Sequence, residues 1–255
     1  MAEMNPSEAM RTVIDDPVVR LALEELDRKL RERFGLKYLR LILFGSRARG
    51  DGNPDSDADV AVVLRGQIEN RWSLRRLMIR DTYPILLETG LYIQAWPLEE
   101  RELDDPDTSA NPAFSSAMSS ERVSGGERNR VSEEGGPCAR GSQTRPSCRR
   151  LRRRGQPLYY AMFHAARAAL LSIGQPAHGR HRTIIAQFGR HFCRNGPLPA
   201  ELGRAMNEAQ ELRIEGDYNI TTPDGAEVGS YIATAEQLLA SVKVIVSRSP
   251  PVSLG

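Results

Sequence analysis

Apolar and polar positions recur along this chain with two different periods, and the change of period marks its organisation. Residues 17–34, PVVRLALEELDRKLRERF, carry apolar residues three and four apart with charges between them. That spacing predicts an amphipathic helix with Pro17 in its first turn. YLRLILF (38–44) and DADVAVVL (57–64) are short apolar runs flanked by turn residues, and each predicts a strand. NRWSLRRLMIRDTYPILLE (70–88) reads as a helix kinked near Pro84, and LYIQAW (91–96) as a third strand. Helix, strand, turn, strand, helix, strand makes a small α/β unit, α+β in its mixed sheet, of about a hundred residues.

Past a break, the helical period returns. LYYAMFHAARAALLSIG (158–174) is apolar nearly all round and stops at Gly174, which predicts a buried helix. Residues 181–196, 199–217 and 227–246 predict three more amphipathic helices, and four together make an all-α bundle. The break itself, 119–156, holds only Val123, Val131 and Leu151 as large aliphatics among Gly, Ser and Arg. So little apolar surface does not offset the entropy of ordering, and a disordered linker is expected. The reading is a first domain over 1–104, a linker over 105–156, a bundle over 157–247 and a flexible tail over 248–255. Because helical pattern resumes abruptly after the tract, a junction altered in reading frame stands beside a genuine linker as its explanation.

Charge sharpens this division. The first 110 residues carry 16 Lys and Arg against 21 Asp and Glu, whereas 119–156 carry ten Arg against four Glu. Neither flank is a basic nucleic-acid-binding domain by charge. Cys138, Cys148 and Cys193 form no CxxC pair, so neither a disulfide framework nor a zinc knuckle is expected. No apolar run approaches the ~18 residues of a membrane span. The first residues lack the apolar core of a signal peptide. No membrane contact and a reducing, cytoplasmic setting are the default expectations.

The chemistry concentrates in LFGSRARGDGNPDSDADVAVVL (43–64). A period of two puts Asp57 and Asp59 on one face of a strand, roughly 7 Å apart. Such a pair can hold Mg²⁺, which takes one or two carboxylates and completes its shell with water and substrate phosphate. The Gly45-Ser46 turn offers backbone N–H groups and a hydroxyl, and phosphate can approach closely where Gly45 has no side chain. Arg47 and Arg49 are candidates to neutralise a triphosphate. The other reading of these arginines pairs them with Asp51 or Asp55 in a solvated loop. The alternative for the whole motif is a polar hairpin loop with an acidic rim. No GKS or GKT follows the glycine, which excludes a Walker P-loop.

Gly45, Ser46, Arg47, Ala48, Arg49, Gly50, then Ser56, Asp57, Ala58, Asp59, resembles the G-S-x-A-R-G and S-D-x-D pattern of minimal nucleotidyltransferases in the DNA polymerase β-like superfamily. The resemblance spans roughly 20–100. It implies Mg²⁺-dependent transfer of a nucleoside monophosphate, AMP first among them, from ATP or another nucleoside triphosphate. Asp57 and Asp59 would be the catalytic and metal-binding residues. Gly45, Ser46, Arg47, Arg49 and Ser56 would bind nucleotide. Many members carry a third carboxylate on the third strand. Here Gln94 holds about that place, with Glu88 just before the strand, and an amide is a poor base.

The second half, through YYAMFHAARAALL, FGRHF and ELRIEGDYN, resembles the HEPN family of helical bundles over about 157–246. Some members are ribonucleases that use an Arg and a His four to six residues apart on this helix, with the site completed across a dimer. His164 matches the histidine, but Pro157 stands where the Arg would fall. A core histidine is the preferred reading of His164, and packing that of Tyr159 and Tyr160. The two resemblances together imply a prokaryotic toxin–antitoxin-type module, with an acceptor protein or RNA as partner and a HEPN-mediated homodimer. A nucleotide-binding antitoxin of weak activity and a HEPN-type ribonuclease are the alternatives.

Overall fold

A computed structural model describes residues 16–50, 52–53, 56–105, 146–218 and 225–248 of the chain. Helix α1 (Pro17–Phe34) is capped by Asp16, whose side chain accepts from the backbone N–H groups of Val18 and Val19. Its buried residues, Val19, Ala22, Leu23, Leu26 and Leu30, form the single stripe that the spacing predicted. A short 3₁₀ turn leads to β1 (Tyr38–Phe44). Then come a one-turn helix α2 (Ser46–Arg49), β2 (Ala58–Leu64), α3 (Arg71–Thr89), β3 (Ile93–Glu99) and a last turn α4 (Arg101–Asp104). The strands form one mixed sheet in the order β1-β2-β3, with β1 antiparallel and β3 parallel to β2. The third strand lies two residues later than the pattern suggested and contains Pro97. An edge strand tolerates a residue that cannot donate to the ladder.

Alternation along β2 fills both faces of the sheet. Ala58, Val60, Val62 and Leu64 pack beneath α1 and α3, while Ala61 and Val63 meet Phe44, Trp96 and Leu98 on the other face. Burial on both faces explains the almost unbroken apolar run of this central strand.

The helical half comprises α5 (Pro146–Ser172), α6 (His181–Phe188), α7 (Ala200–Tyr218) and α8 (Gly225–Arg248). A π turn, Gly189–Arg194, continues α6. Helix α5 begins inside the segment expected to be a linker. Its first eleven residues start at a proline, which suits a first helical position, and contain five arginines, which are good helix formers. The remainder of that segment, 106–145, and the tail from 249 lie outside the described residues. Tyr159, Met162, Phe163, Ala166, Ala169 and Leu170 of α5 face Leu202, Met206 and Ala209 of α7 and Tyr231, Leu238 and Val242 of α8 in one cluster.

That cluster does not stop at the helical half. Trp72, Ile79, Tyr83, Leu86 and Leu87 of α3 belong to it, as does Tyr92. Helix α3 is therefore buried on both sides, with Met78 and Ile85 turned to the sheet. It runs through Pro84 without interruption. Two glycines make room for this contact. A Cβ on Gly189 would lie 2.3 Å from the Tyr83 hydroxyl, and one on Gly203 would lie 2.0 Å from it. Polar contacts cross the same boundary. Arg75 of α3, 2% exposed, is ion-paired with the equally buried Glu211 of α7 and lies over the Trp96 ring at 3.7 Å. Tyr92 donates its hydroxyl to the other oxygen of Glu211 at 2.5 Å. A charge so far from water is stable only with such partners.

Candidate active site

The site is built where β1 hands over to β2. Gly45 ends β1 with φ of 75°, a conformation that L side chains rarely adopt. The ladder places Phe44, the residue before it, opposite Asp59. A Cβ on Gly45 would meet Asp59 Oδ2 at 2.8 Å, so the missing side chain leaves room for this carboxylate. Ala58, wholly buried, separates Asp59 from Asp57, which just precedes β2. Gln94, the parallel partner of Asp59, reaches the Asp57 carboxylate, which puts the two acids on one side.

Their surroundings differ. Asp59 is largely enclosed, and burial pushes its carboxyl up to about 6 against the opposing pull of the Trp96 ring N–H, Arg49 and Arg75. Asp57 is held by two donors. Gln94 Nε2 donates to Oδ2 at 3.3 Å, and Arg182, from α6 of the helical half, donates to Oδ1. The parallel register sets Gln94 directly beside Asp59, so the amide does occupy the place on the third strand where an acid was sought. Glu88 is exposed on the last turn of α3.

The arginines of the turn take different routes. Arg47 is drawn inward: Nε donates to the Ser56 carbonyl at 2.9 Å and Nη1 pairs with Asp16 at 3.1 Å. Its described acidic partner is thus the cap of α1, while Asp51 and Asp55 lie outside the described residues. Arg49 is exposed and reaches Asp59 through its charge. The Ser56 hydroxyl accepts the Asn53 N–H at 3.0 Å, and the Ser46 carbonyl accepts from Gly52 at 3.1 Å. Both serines therefore brace the loop. A cavity of about 390 Å³ opens between the two halves, lined by Asp16, Arg47, Ser56, Tyr92, Arg182 and Arg190 among others; it reaches the carboxylate pair through Ser56 and Arg182, and neither Asp57 nor Asp59 lines it.

Two carboxylates on one face suit Mg²⁺, which needs only one or two from the protein when substrate phosphates supply the rest. Among the described residues no cluster of three or more acidic, His or Cys side chains could hold a metal ion by itself. The donor set fits an ion that arrives with a polyphosphate.

In the helical half, His164 is exposed on α5, edge-on to Phe163 at 5.8 Å and stacked with Tyr160 at 6.4 Å. This corrects the expectation of a core histidine, because its position falls on the outward side of the helix. The half-buried histidine is His181. Its Nδ1 shares a hydrogen bond with the Tyr159 hydroxyl, and its ring stacks on Phe163 at 4.3 Å. Burial, then the charges of Arg213 and His164, lowers its pKa. Tyr159 is fully buried and packs as expected, whereas Tyr160 is exposed.

Comparison with known proteins agrees with the two-part fold. The nucleotidyltransferase domain model matches residues 23–103 and the HEPN domain model matches 156–245. Curated relatives include a UPF0332 protein of Gloeobacter violaceus, 45% identical over 60 residues, which are 24% of this chain and 47% of the relative. A candidate toxin of Methanocaldococcus jannaschii is 33% identical over 85 residues, 33% of this chain and 63% of that protein. A candidate protein adenylyltransferase of the same organism is 27% identical over 90 residues, 35% of this chain and 61% of that protein. The chain thus spans between about half and two thirds of the length of these relatives. No solved structure matches. Among the described residues no helix is long and apolar enough to cross a membrane. With the paired aspartates on a small mixed sheet and the helical bundle packed behind them, the chain is a nucleotidyltransferase domain joined to a HEPN domain.

Proposed function

We propose that the protein transfers a nucleoside monophosphate, AMP first among them, from a nucleoside triphosphate to an acceptor on a protein or RNA, with Mg²⁺ held by Asp57 and Asp59. The observation that carries this reading is the pair of carboxylates on one side of buried Ala58, closed against Gly45. Bound there, Mg²⁺ would draw charge from the α-phosphate and the pyrophosphate leaving group. The acceptor oxygen bonds to the α-phosphorus, the bond to pyrophosphate breaks, and the hydroxyl proton is lost. The chain's own residues set the rate of that loss. Gln94 keeps Asp57 oriented but has no basicity to take up the proton, so turnover is expected to be slow.

The same amide favours a second reading, a nucleotide-binding antitoxin of weak activity. Relatives named as a candidate toxin and a candidate protein adenylyltransferase support placing either activity in a toxin–antitoxin-type module, with self-association through the helical bundle. Incubation with α-labelled ATP and Mg²⁺ tests the choice. Label on this chain, on added RNA or on a captured protein, absent from the Asp57→Asn, Asp59→Asn double variant, supports transfer. Tight Mg²⁺-dependent ATP binding without label supports the second reading. Nucleotide binding that ignores both aspartates refutes the site.

A further inference from the structure

A guanidinium lies where the divalent cation is expected to bind. Arg182 is the second residue of α6, and its Nη1 donates to Oδ1 of Asp57. With Gln94 on Oδ2, both oxygens of that carboxylate are engaged. The pair is sheltered from solvent: the Arg182 side chain is 11% exposed and that of Asp57 30%.

The helix presenting this arginine is firmly seated. Ile184, Ile185 and Phe188 are buried in the core that the two domains share. Arg190, in the following turn, donates its Nε to the Leu87 carbonyl of α3 at 2.5 Å. Arg182 is thus delivered across the domain boundary by a packed element, rather than by a loose surface chain.

Two cations cannot occupy one carboxylate without strong repulsion. A metal that binds Asp57 must therefore either bear that repulsion on Oδ2 or draw the guanidinium away from Oδ1. The cavity beside the pair gives it a destination, because Arg182, Arg47 and Arg190 all line that space. Three guanidinium groups around one cavity match a polyphosphate, which arginine recognises through paired N–H donors.

We propose that Arg182 of the HEPN domain is a built-in competitor of the divalent cation at Asp57, and that a nucleoside triphosphate in the interdomain cavity draws it off. The inference rests on the metal site of the proposed function. Metal alone must bear that repulsion or break the ion pair, and binds weakly. Metal with nucleotide binds well, because the phosphates offer Arg182 a new partner. The coupling is reciprocal, so the same contact tightens nucleotide when metal is present. It also ties the state of the transferase site to the placement of α6.

The full chain titrated with Mn²⁺, followed by the spin-resonance signal of the free ion, tests the idea without any turnover. Arg182→Gln is expected to bind Mn²⁺ alone about tenfold more tightly than the wild type, a change of ~1.4 kcal/mol. A non-hydrolysable triphosphate analogue should raise Mn²⁺ affinity strongly in the wild type and much less in the variant. Arg182→Lys, checked like the others for a native circular dichroism spectrum, keeps the charge without the fork and should fall between them. Should Arg182→Gln not fold, the lysine variant alone decides, because unchanged affinity there refutes competition. If Asp57→Asn abolishes Mn²⁺ binding while neither Arg182 variant alters it, the metal site stands and the competition is refuted. Mn²⁺ binding that survives Asp57→Asn overturns the metal site and the competition with it. Failure of the wild type and of both Arg182 variants to bind Mn²⁺ also overturns the competition.

Discussion

Replacing each carboxylate of the pair by its amide should change stability in opposite directions. The Asp59 carboxyl is raised from an ordinary 3.8 to about 6 by burial. At 1.36 kcal/mol per pKa unit, its charged form costs the fold about 3 kcal/mol at neutral pH. Asp59→Asn removes that cost with nearly the same shape. The raised value fixes the pH window. Below about 4 the carboxyl is protonated in both folded and unfolded chains, and the wild type bears no cost. As pH rises from 4 through 6 the unfolded chain ionises first, and the wild type loses stability that the variant keeps. Urea unfolding followed by tryptophan fluorescence should show Asp59→Asn more stable by up to ~3 kcal/mol at pH 8, with the gain vanishing near pH 4. Asp57→Asn is the contrast. It leaves the sheltered Arg182 guanidinium without its counter-charge, and a loss of ~1–3 kcal/mol at pH 8 follows. An Asp59→Asn variant that is destabilised at pH 8, or whose gain is the same at pH 4 and pH 8, would show that Asp59 is not a carboxylate strained by burial.

Three further outcomes follow from the packing. Glu211→Gln leaves Arg75 buried without its ion-pair partner and should cost ~3–5 kcal/mol; fluorescence and far-ultraviolet dichroism should shift together on heating, and separate transitions would deny the common core. Gly203→Ala gains up to ~1 kcal/mol of helix propensity but drives a methyl group into the Tyr83 hydroxyl, so a net loss within ~1–3 kcal/mol is expected. Adding Tyr83→Phe should return part of that loss in denaturant titration, and none returned would place the clash elsewhere. Gln94→Asp brings a third acid beside Asp59 and should speed AMP transfer with Mg²⁺ while lowering the stability of the metal-free protein through like-charge repulsion; slower transfer in a labelled-ATP assay would remove Gln94 from the place of a missing base.

Much of this arrangement could be read from local pattern. Asp57-Ala58-Asp59 announced itself because a strand repeats every two residues, and Gln94 was placed through the resemblance to minimal nucleotidyltransferases, a place that the parallel pairing of the third strand with the second supports. The helices of the bundle followed from apolar residues three and four apart. What escaped was whatever depends on contacts between the halves. Arg182 and Glu211 lie 125 and 136 residues from their partners Asp57 and Arg75, and no local spacing connects them. Helix α3 read only as a helix kinked near Pro84. The charges that mimic a solvated face there are paired inside, Arg75 with Glu211 and Asp81 with Arg33 at 2.6 Å. His164 was misplaced for the same reason: which face of α5 is outward is decided by α7 and α8, not by α5 itself.

The double-sided burial of α3 bears on how the chain is made. Ribosomes add ~5–20 residues per second, and the roughly 150 residues from Tyr92 to Val242 therefore take ~10–30 s to emerge. Until α6 and α7 emerge, the sheet can close over Met78 and Ile85, but Trp72, Ile79, Tyr83 and Leu87 lack the helices they pack against. Newborn chains accordingly pass through a half-finished state with a sticky apolar stripe, before Glu211 has reached Arg75. Their yield should depend on chaperone supply and on translation speed far more than the stability of the finished protein would suggest.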